Sequence, residues 1–228
     1  MEKKKKILKG VILVIIIIVI ALAIHFTKNY IIITNIMKKQ AENVSNANYT
    51  FITEMYSSKE ESDKTVIEHY YKDGKNIMIK NQEPKIIIWY DEATQESIFQ
   101  VPSTLKATID KSPFILGNTL SGIFQKDEKM YVILTSIITN SKVDGKECYK
   151  VKYIGSNLEK DFSKEDGTLL KLIDGYEEID GKKYDNITEF KNYTFDKLKD
   201  EDVSRPNLTG YEIGDWYIWG CNKNVTKM

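Results

Sequence analysis

Histidine and cysteine, the side chains that most often ligate transition metals or act as nucleophile and base, are few in this sequence of 228 residues. Its two histidines are His25, at the end of an apolar run, and His69, in an alternating segment. Neither has a second histidine, a cysteine or a carboxylate at the spacing of metal ligands. We therefore predict no metal site and interpret His69 as a histidine on the surface of a strand. The sequence also contains no nucleophile motif and no phosphate-binding glycine loop.

Acidic residues are abundant, and a pair of carboxylates is all that a glycosidase-type mechanism requires. They cluster at Glu60–Asp63 and at Asp196–Asp202, and neither cluster has the spacing of an EF-hand loop. We interpret both clusters as solvated, charge-rich loops. The sequence therefore predicts no catalytic residue, no cofactor and no enzyme activity.

Two features leave alternatives open. Cys148 and Cys221 either pair, as an exported protein permits, or are a small core residue of a strand and an incidental thiol. The aromatic residues of Trp216–Trp219 form either a membrane-interface or binding patch, or a last strand that packs on the domain.

The N-terminus has the pattern of an export signal or a membrane anchor. Lys3–Lys6 precede 14 uninterrupted apolar residues, Val11 to Ile24, and a spanning helix needs about 20 mostly apolar residues. Positive charge before the run favours a cytoplasmic N-terminus. A cleaved signal peptide ending near Ala21–Ala23 is the alternative, but the long, isoleucine-rich run favours an uncleaved anchor. We therefore predict a single-pass protein of the cell membrane with an extracytoplasmic main domain.

The rest of the chain is long enough for one domain. Removing residues 1–26, the basic stub and anchor, leaves about 200 residues, enough for one sizeable core. Acidic and basic residues balance at 33 each, and four lysines belong to the N-terminus, so the exported part is mildly acidic. That charge argues against nucleic acid as a partner. We predict one domain over residues 27–213 and a strand or tail over 214–228.

After a helical continuation over residues 27–44, the pattern is that of a β protein. Five Asp-Gly pairs occur among 12 glycines, and Asp-Gly suits the positive φ angles of tight hairpin turns. Short alternating segments between the turns predict about nine to eleven mostly antiparallel strands. One of them covers residues 130–135, whose apolar side chains alternate between two faces.

Residues 102–126 interrupt the strand pattern. Ser112 suits a helix N-cap and Pro113 the first helical position. Leu116, Leu120 and Phe124 then form an apolar stripe at helical spacing. We predict one helix over residues 113–125.

Three segments occur in an order typical of a known family. Ile87–Pro102 reads as strand, Tyr-Asp, turn and strand, and Val143–Leu170 contains an Asp-Gly turn before a leucine-rich strand. The third is Tyr193–Tyr211. Together they resemble the bacterial LolA-like superfamily, which includes periplasmic lipoprotein carriers and RseB-like and LppX-like proteins.

The resemblance implies an α+β fold in which a few helices cover the concave face of a strongly curved, mostly antiparallel half-barrel sheet. In relatives the space between them is an apolar cavity for acyl chains or lipidated cargo. The helices over 27–44 and 113–125 would act as lids. The residues that would line the cavity are Trp89, Phe99, Leu116, Leu120 and Phe124.

Two features differ from a soluble carrier. A retained anchor prevents diffusion, and Arg205, the only arginine, does not match the arginine associated with cargo handling in the carriers. We therefore predict a tethered, non-enzymatic module that binds a lipid acyl chain or a lipoprotein partner. The alternative is a protein-interaction or regulatory subunit of a cell-envelope complex with no small ligand. A filled interior and an exposed apolar patch would favour that alternative.

Overall fold

The computed structural model describes residues 2–44, 48–111 and 129–214, with the backbone alone for residues 2–6 and 44. Two α-helices, twelve strands and two 3₁₀ turns lie in these ranges. The helices are α1 (Glu2–Val44) and α2 (Lys129–Thr135), and the 3₁₀ turns are Pro102–Thr104 and Asp200–Val203. The strands are β1 (Asn48–Ser57), β2 (Thr65–Lys72), β3 (Lys75–Lys80), β4 (Ile86–Asp91), β5 (Glu96–Val101), β6 (Lys106–Asp110), β7 (Ser136–Val143), β8 (Lys146–Tyr153), β9 (Leu158–Ser163), β10 (Leu169–Ile179), β11 (Lys182–Phe195) and β12 (Glu212–Ile213).

All twelve described strands form one sheet in the order β12-β6-β5-β4-β3-β2-β1-β11-β10-β9-β8-β7. Neighbours are antiparallel except β12 and β6, which are parallel. Because this order has two ends, the described strands form an open sheet rather than a closed barrel. The fold class predicted from the sequence, an apolar N-terminal helix and a large antiparallel sheet with few helices, is confirmed.

Three of the five Asp-Gly pairs form two-residue hairpin turns. Asp73-Gly74, Asp144-Gly145 and Asp180-Gly181 have positive φ at both residues, as a type I′ turn requires. The other two pairs have different roles. Gly167 lies in the longer turn between β9 and β10, and Gly175 lies inside β10, where its register with β11 shifts.

α1 is one continuous helix of 43 residues whose two parts have different surroundings. The side chains from Ile7 to Ile24 are exposed, and the helix is long and apolar enough to cross a membrane. From Asn29 onwards one side is buried, with Ile33 and Ile36 only 0% and 2% exposed. No break in the helix separates the predicted anchor from the domain.

Residues 130–135, predicted as a strand, belong to α2 instead. Val132 and Ile133, which the predicted strand would place on opposite faces, are both buried in the helix. The hydroxyl of Thr135 donates to the carbonyl of Tyr131 at 2.7 Å, one helical turn back. A short apolar run fits either structure, and here α2 packs on α1, where Asn29 donates to the carbonyl of Ile133 at 3.1 Å.

The domain part of α1 is fixed at both ends. Asn29 is 1% exposed, and its amide also donates to the carbonyl of Ser136 at 2.9 Å. The N-terminal end of the domain part of α1 is thereby attached to the start of β7. At the other end, Gln40 and Asn43 donate to the carbonyls of Gly167 and Asp166 at 3.1 and 2.8 Å, in the β9–β10 turn.

The main core lies between α1, α2 and one face of β1 and β7–β11. Its buried members are Ile32, Ile33, Ile36, Tyr49, Phe51, Val132, Ile133, Ile138, Val151, Tyr153, Phe162, Leu169 and Phe190. We call the sheet face that carries Tyr49 and Phe51 the helix-covered face and the opposite one the outer face. Because α1 contributes three core isoleucines, the helix that resembles an anchor is also part of the folded domain.

Candidate functional site: the helix-covered face of the sheet

The strand pairing places the two described residues of the predicted cavity on different faces. Trp89 pairs with Ile98, whereas Ile88 pairs with Phe99. Directly paired side chains share a face and successive ones alternate. Phe99 therefore lies on the helix-covered face and Trp89 on the outer face, so these two side chains do not line one cavity. Leu116, Leu120 and Phe124, with the helix predicted over 113–125, lie outside the described residues, as do Cys221 and residues 216–219.

On the outer face, Trp89 holds the chain that follows β11. Its side chain is 2% exposed, and its indole Nε1 donates to the carbonyl of Val203 at 3.0 Å. Lys72 of β2 lies 2.7 Å from a carboxylate oxygen of Asp200 in the same 3₁₀ turn. Trp89 thus packs this segment on the sheet, and its position is explained without a ligand.

The helix-covered face carries an aromatic cluster that the sequence analysis did not single out. Phe51 stacks on His69 with ring centroids 4.4 Å apart, and on Tyr193 at 5.3 Å. Tyr49 stacks on Tyr71 at 4.9 Å. The alternation of Tyr49 and Phe51 with polar residues in β1 was the available signal. Their partners come from β2 and β11, and only the pairing of the strands reveals them.

The space between α1 and this face is filled by side chains. Ile33 from the helix and Val151 and Phe162 from the sheet are all 0% exposed. Clefts lined by described residues lie elsewhere. One of about 490 Å³ runs along the exposed side of α1 at residues 23–32, and one of about 450 Å³ lies beside Gly155. Within the described residues, the interface between α1 and the helix-covered face is therefore packed core.

Beyond α1 the same face continues as an apolar row across β3, β4 and β5. Met78 pairs with Ile88, which pairs with Phe99. Ile88 is 3% exposed, whereas Met78 and Phe99 are half-buried. We call these three side chains the apolar row.

His69 lies between the aromatic cluster and the apolar row, since it pairs with both Phe51 and Met78. It is buried, at 4% exposed, and is not the surface residue that the sequence suggested. Its Nε2 lies 2.9 Å from the hydroxyl of Thr53. Burial lowers the pKa of His69 to about 4, because the charged imidazolium is poorly solvated there. At neutral pH it is a neutral, stacked aromatic ring.

The pKa of His69 predicts that the folded state loses stability in mild acid. The unfolded chain takes up this proton near pH 6.5, whereas the folded chain does so near pH 4. The contribution of neutral His69 to the free energy of unfolding is thus complete above pH 6.5. It declines as pH falls towards 4, by about 3 kcal/mol in all. Urea denaturation at pH 7 and 4.5 should show a smaller loss for His69→Phe than for the wild type. Equal losses would mean that His69 titrates normally.

Charged side chains on the outer face form an ion-pair cluster. Lys191 lies 2.9 Å from Glu54 and 2.9 Å from Glu189, and the Tyr56 hydroxyl donates to Glu189 at 2.8 Å. The hydrogen bond from Lys191 lowers the pKa of Glu54. A carboxylic acid catalyst needs the opposite, a raised pKa. Within the described ranges, no group of three or more His, Cys, Asp and Glu side chains is arranged to hold a metal ion.

Comparisons with known proteins give structural likenesses alone. No protein-family model matches the sequence, and no curated protein does. Among solved structures, the chain is similar to the Pseudomonas aeruginosa MucA/MucB complex, with 7% identity and a TM-score of 0.47 over 76% of this chain and 61% of that one. It thus spans about three fifths of that relative's length.

Two further likenesses cover nearly the whole of the other chain. The LolA superfamily protein NE2245 from Nitrosomonas europaea has 7% identity and a TM-score of 0.34, over 75% of this chain and 96% of that one. A putative outer membrane lipoprotein-sorting protein domain from Vibrio parahaemolyticus has 11% identity and a TM-score of 0.32, over 75% of this chain and 95% of that one. At such identities and TM-scores, these likenesses carry no argument about a ligand or a partner.

Proposed function

We propose that this chain is a single-pass membrane protein whose extracytoplasmic domain, residues 27–213, binds an apolar ligand without enzyme chemistry. The N-terminus is cytoplasmic, because Lys3–Lys6 precede the span. The observation that carries the proposal is the apolar row Met78, Ile88 and Phe99, which continues the helix-covered face beyond α1. A lipid acyl chain, free or attached to a lipoprotein, is the ligand class that fits an aliphatic and aromatic surface.

The packing of α1 supports a ligand site beyond the helix. Ile33 and Ile36 fill the interface over β1 and β7–β11, so a ligand there would have to displace the core. The apolar row has half-buried members at both ends. An acyl chain can contact them without displacing the core. Leu116, Leu120 and Phe124 are proposed to complete the lining from the segment that follows β6.

The attachment of α1 supports a fixed binding module over a diffusing carrier. The core isoleucines and the span belong to one helix without interruption. Retention of that span keeps the domain at the membrane. This membrane contains the lipid ligand or anchors the lipidated partner. The ion-paired carboxylates of the outer face support the absence of acid–base chemistry.

Native mass spectrometry of the full chain in lipid nanodiscs tests the ligand site. We expect lipid retained on the wild type after the annular lipids dissociate. Phe99→Asp should reduce that occupancy at least tenfold, because a carboxylate in contact with an acyl chain costs about 2 kcal/mol or more. Ile109→Asp is the matched control, since Ile109 pairs with Ile98 and is 38% exposed on the outer face. Equal occupancy in both variants, or a clean apo mass for the wild type, would contradict the proposal.

A docking surface for a strand of a partner protein is the second candidate. The filled interface under α1 and the exposed apolar side chains of α2 favour it, as does the edge of β7. Lys28 and Asn29 of α1 donate to the carbonyls of Ile138 and Ser136, so the helix covers the first half of this edge. Further along, Asn140 and Lys142 are exposed. An extended segment can pair with such an edge by β-augmentation. A clean apo mass in the nanodisc experiment would favour this candidate.

A further inference from the structure

An exposed apolar patch surrounds the point where α1 leaves its exposed apolar stretch. Met130, Tyr131 and Leu134 of α2 are 57%, 61% and 51% exposed, and Tyr30 of α1 and Ile154 after β8 are 50% and 61% exposed. We call these five side chains the membrane-proximal patch. Large apolar side chains that cluster on a surface in this way mark a site of contact with another apolar phase.

Several contacts hold the patch at one level of α1. Asn29 donates to the carbonyls of Ile133 and Ser136. The ammonium group of Lys129 lies 4.5 Å from the centre of the Tyr30 ring. The amide of Ile154 donates to the carbonyl of Thr135 at 2.7 Å, which joins the β8–β9 turn to the end of α2. The whole patch is therefore fixed near residues 29–30 of the helix.

The length of the helix places this level at the surface of the bilayer. The exposed apolar stretch Ile7–Ile24 is about 27 Å long at 1.5 Å per residue, close to the hydrocarbon thickness of about 30 Å. Asn29 lies five residues further on, or about 7 Å. The headgroup layer is itself about 5–7 Å deep on each side.

We propose that the membrane-proximal patch rests in the headgroup layer of the same bilayer that α1 spans. The inference rests on the anchor in the proposed function and adds the orientation of the domain. Tyr30 and Tyr131 have the amphipathic rings that favour this layer. The start of β7 and the β8–β9 turn then lie at the membrane, and β12 is the strand farthest along the sheet from β7.

Quenching by nitroxide lipids in nanodiscs tests this orientation on the full chain. Single cysteines at Met130, Leu134, Ile213 and Ile16 are labelled with bimane in a Cys221→Ser background, where Cys148 is buried. We expect lipids with a headgroup nitroxide to quench the labels at Met130 and Leu134 at least twofold. The label at Ile213, which is 50% exposed on β12, should keep its fluorescence.

The label at Ile16 separates the two ways in which the inference can fail. Its quenching by a nitroxide deep in the acyl chain reports that α1 spans the bilayer. If Ile16 is quenched but Met130 and Leu134 are not, the anchor stands and the proposed orientation is wrong, and the patch is then free for a protein partner. If Ile16 is not quenched, the anchor itself is wrong, and the orientation is overturned with it. Both patch positions are more than half exposed, so their substitution leaves the core intact.

Discussion

Ile33→Ala is expected to destabilise the folded domain by about 3–4 kcal/mol, which lies within the range measured for large-to-small substitutions in cores. Ile33 is 0% exposed and packs in the core formed by α1 and the helix-covered face. Its truncation removes buried methyl groups and leaves a cavity. The cavity cannot close, because α1 is fixed to the sheet at both ends of its domain part. Urea denaturation of the full chain in detergent micelles, followed by near-UV circular dichroism, measures the loss.

Ile31→Ala is the matched control for this prediction. Ile31 is two residues earlier on the same helix but 53% exposed, so its truncation should change the free energy of unfolding by less than about 0.5 kcal/mol. The contrast distinguishes a helix that is part of the core from one that serves only as an anchor. Similar small losses in both variants would show that the domain folds without α1.

Gly167→Ala is expected to cost about 3 kcal/mol, because two unfavourable terms add. Gly167 has φ +75°, a left-handed conformation that an L side chain adopts at a cost. A methyl group there would lie 2.9 Å from Cβ of Lys39 and 3.0 Å from the carbonyl oxygen of Ile36. Neither atom is the end of a flexible side chain, so α1 or the β9–β10 turn must move. The same denaturation experiment measures the effect.

Gly145→Ala isolates the contribution of the α1 contact. Gly145 has a similar φ of +78° in the β7–β8 turn, but nothing lies within 4 Å of an added Cβ. It should lose about 1–2 kcal/mol from backbone strain alone. The excess loss in Gly167→Ala measures how closely α1 lies on the turn. If the two variants lose the same stability, the close approach is not present in solution.

Together these variants test a feature that links the fold to the proposed function. The helix that is proposed to span the membrane also supplies core residues and is attached at Asn29 and at the β9–β10 turn. In the proposed arrangement this attachment gives the domain a defined height and orientation above the bilayer. The apolar row and the membrane-proximal patch then occupy set positions, which suits a binding module that takes its ligand from the membrane.

Local sequence was sufficient wherever a short segment determines its own conformation. Asp73-Gly74, Asp144-Gly145 and Asp180-Gly181 were predicted as hairpin turns, and positive φ at both residues confirms them. The same signals were ambiguous where burial decides the conformation. Residues 130–135 fit a strand by alternation, and the packing of Val132 and Ile133 against α1 makes them a helix.

The sequence by itself determined the apolar segment that can span a membrane and the antiparallel character of the sheet. Tertiary structure alone decided which side chains meet. Alternation in β4 and β5 places Trp89 and Phe99 on faces of their strands, but it does not show which distant segment covers Trp89. Trp89 is covered by Val203, 114 residues away. Local conformation depends on neighbours in sequence, whereas burial depends on contacts across the sheet, and only the folded chain specifies those.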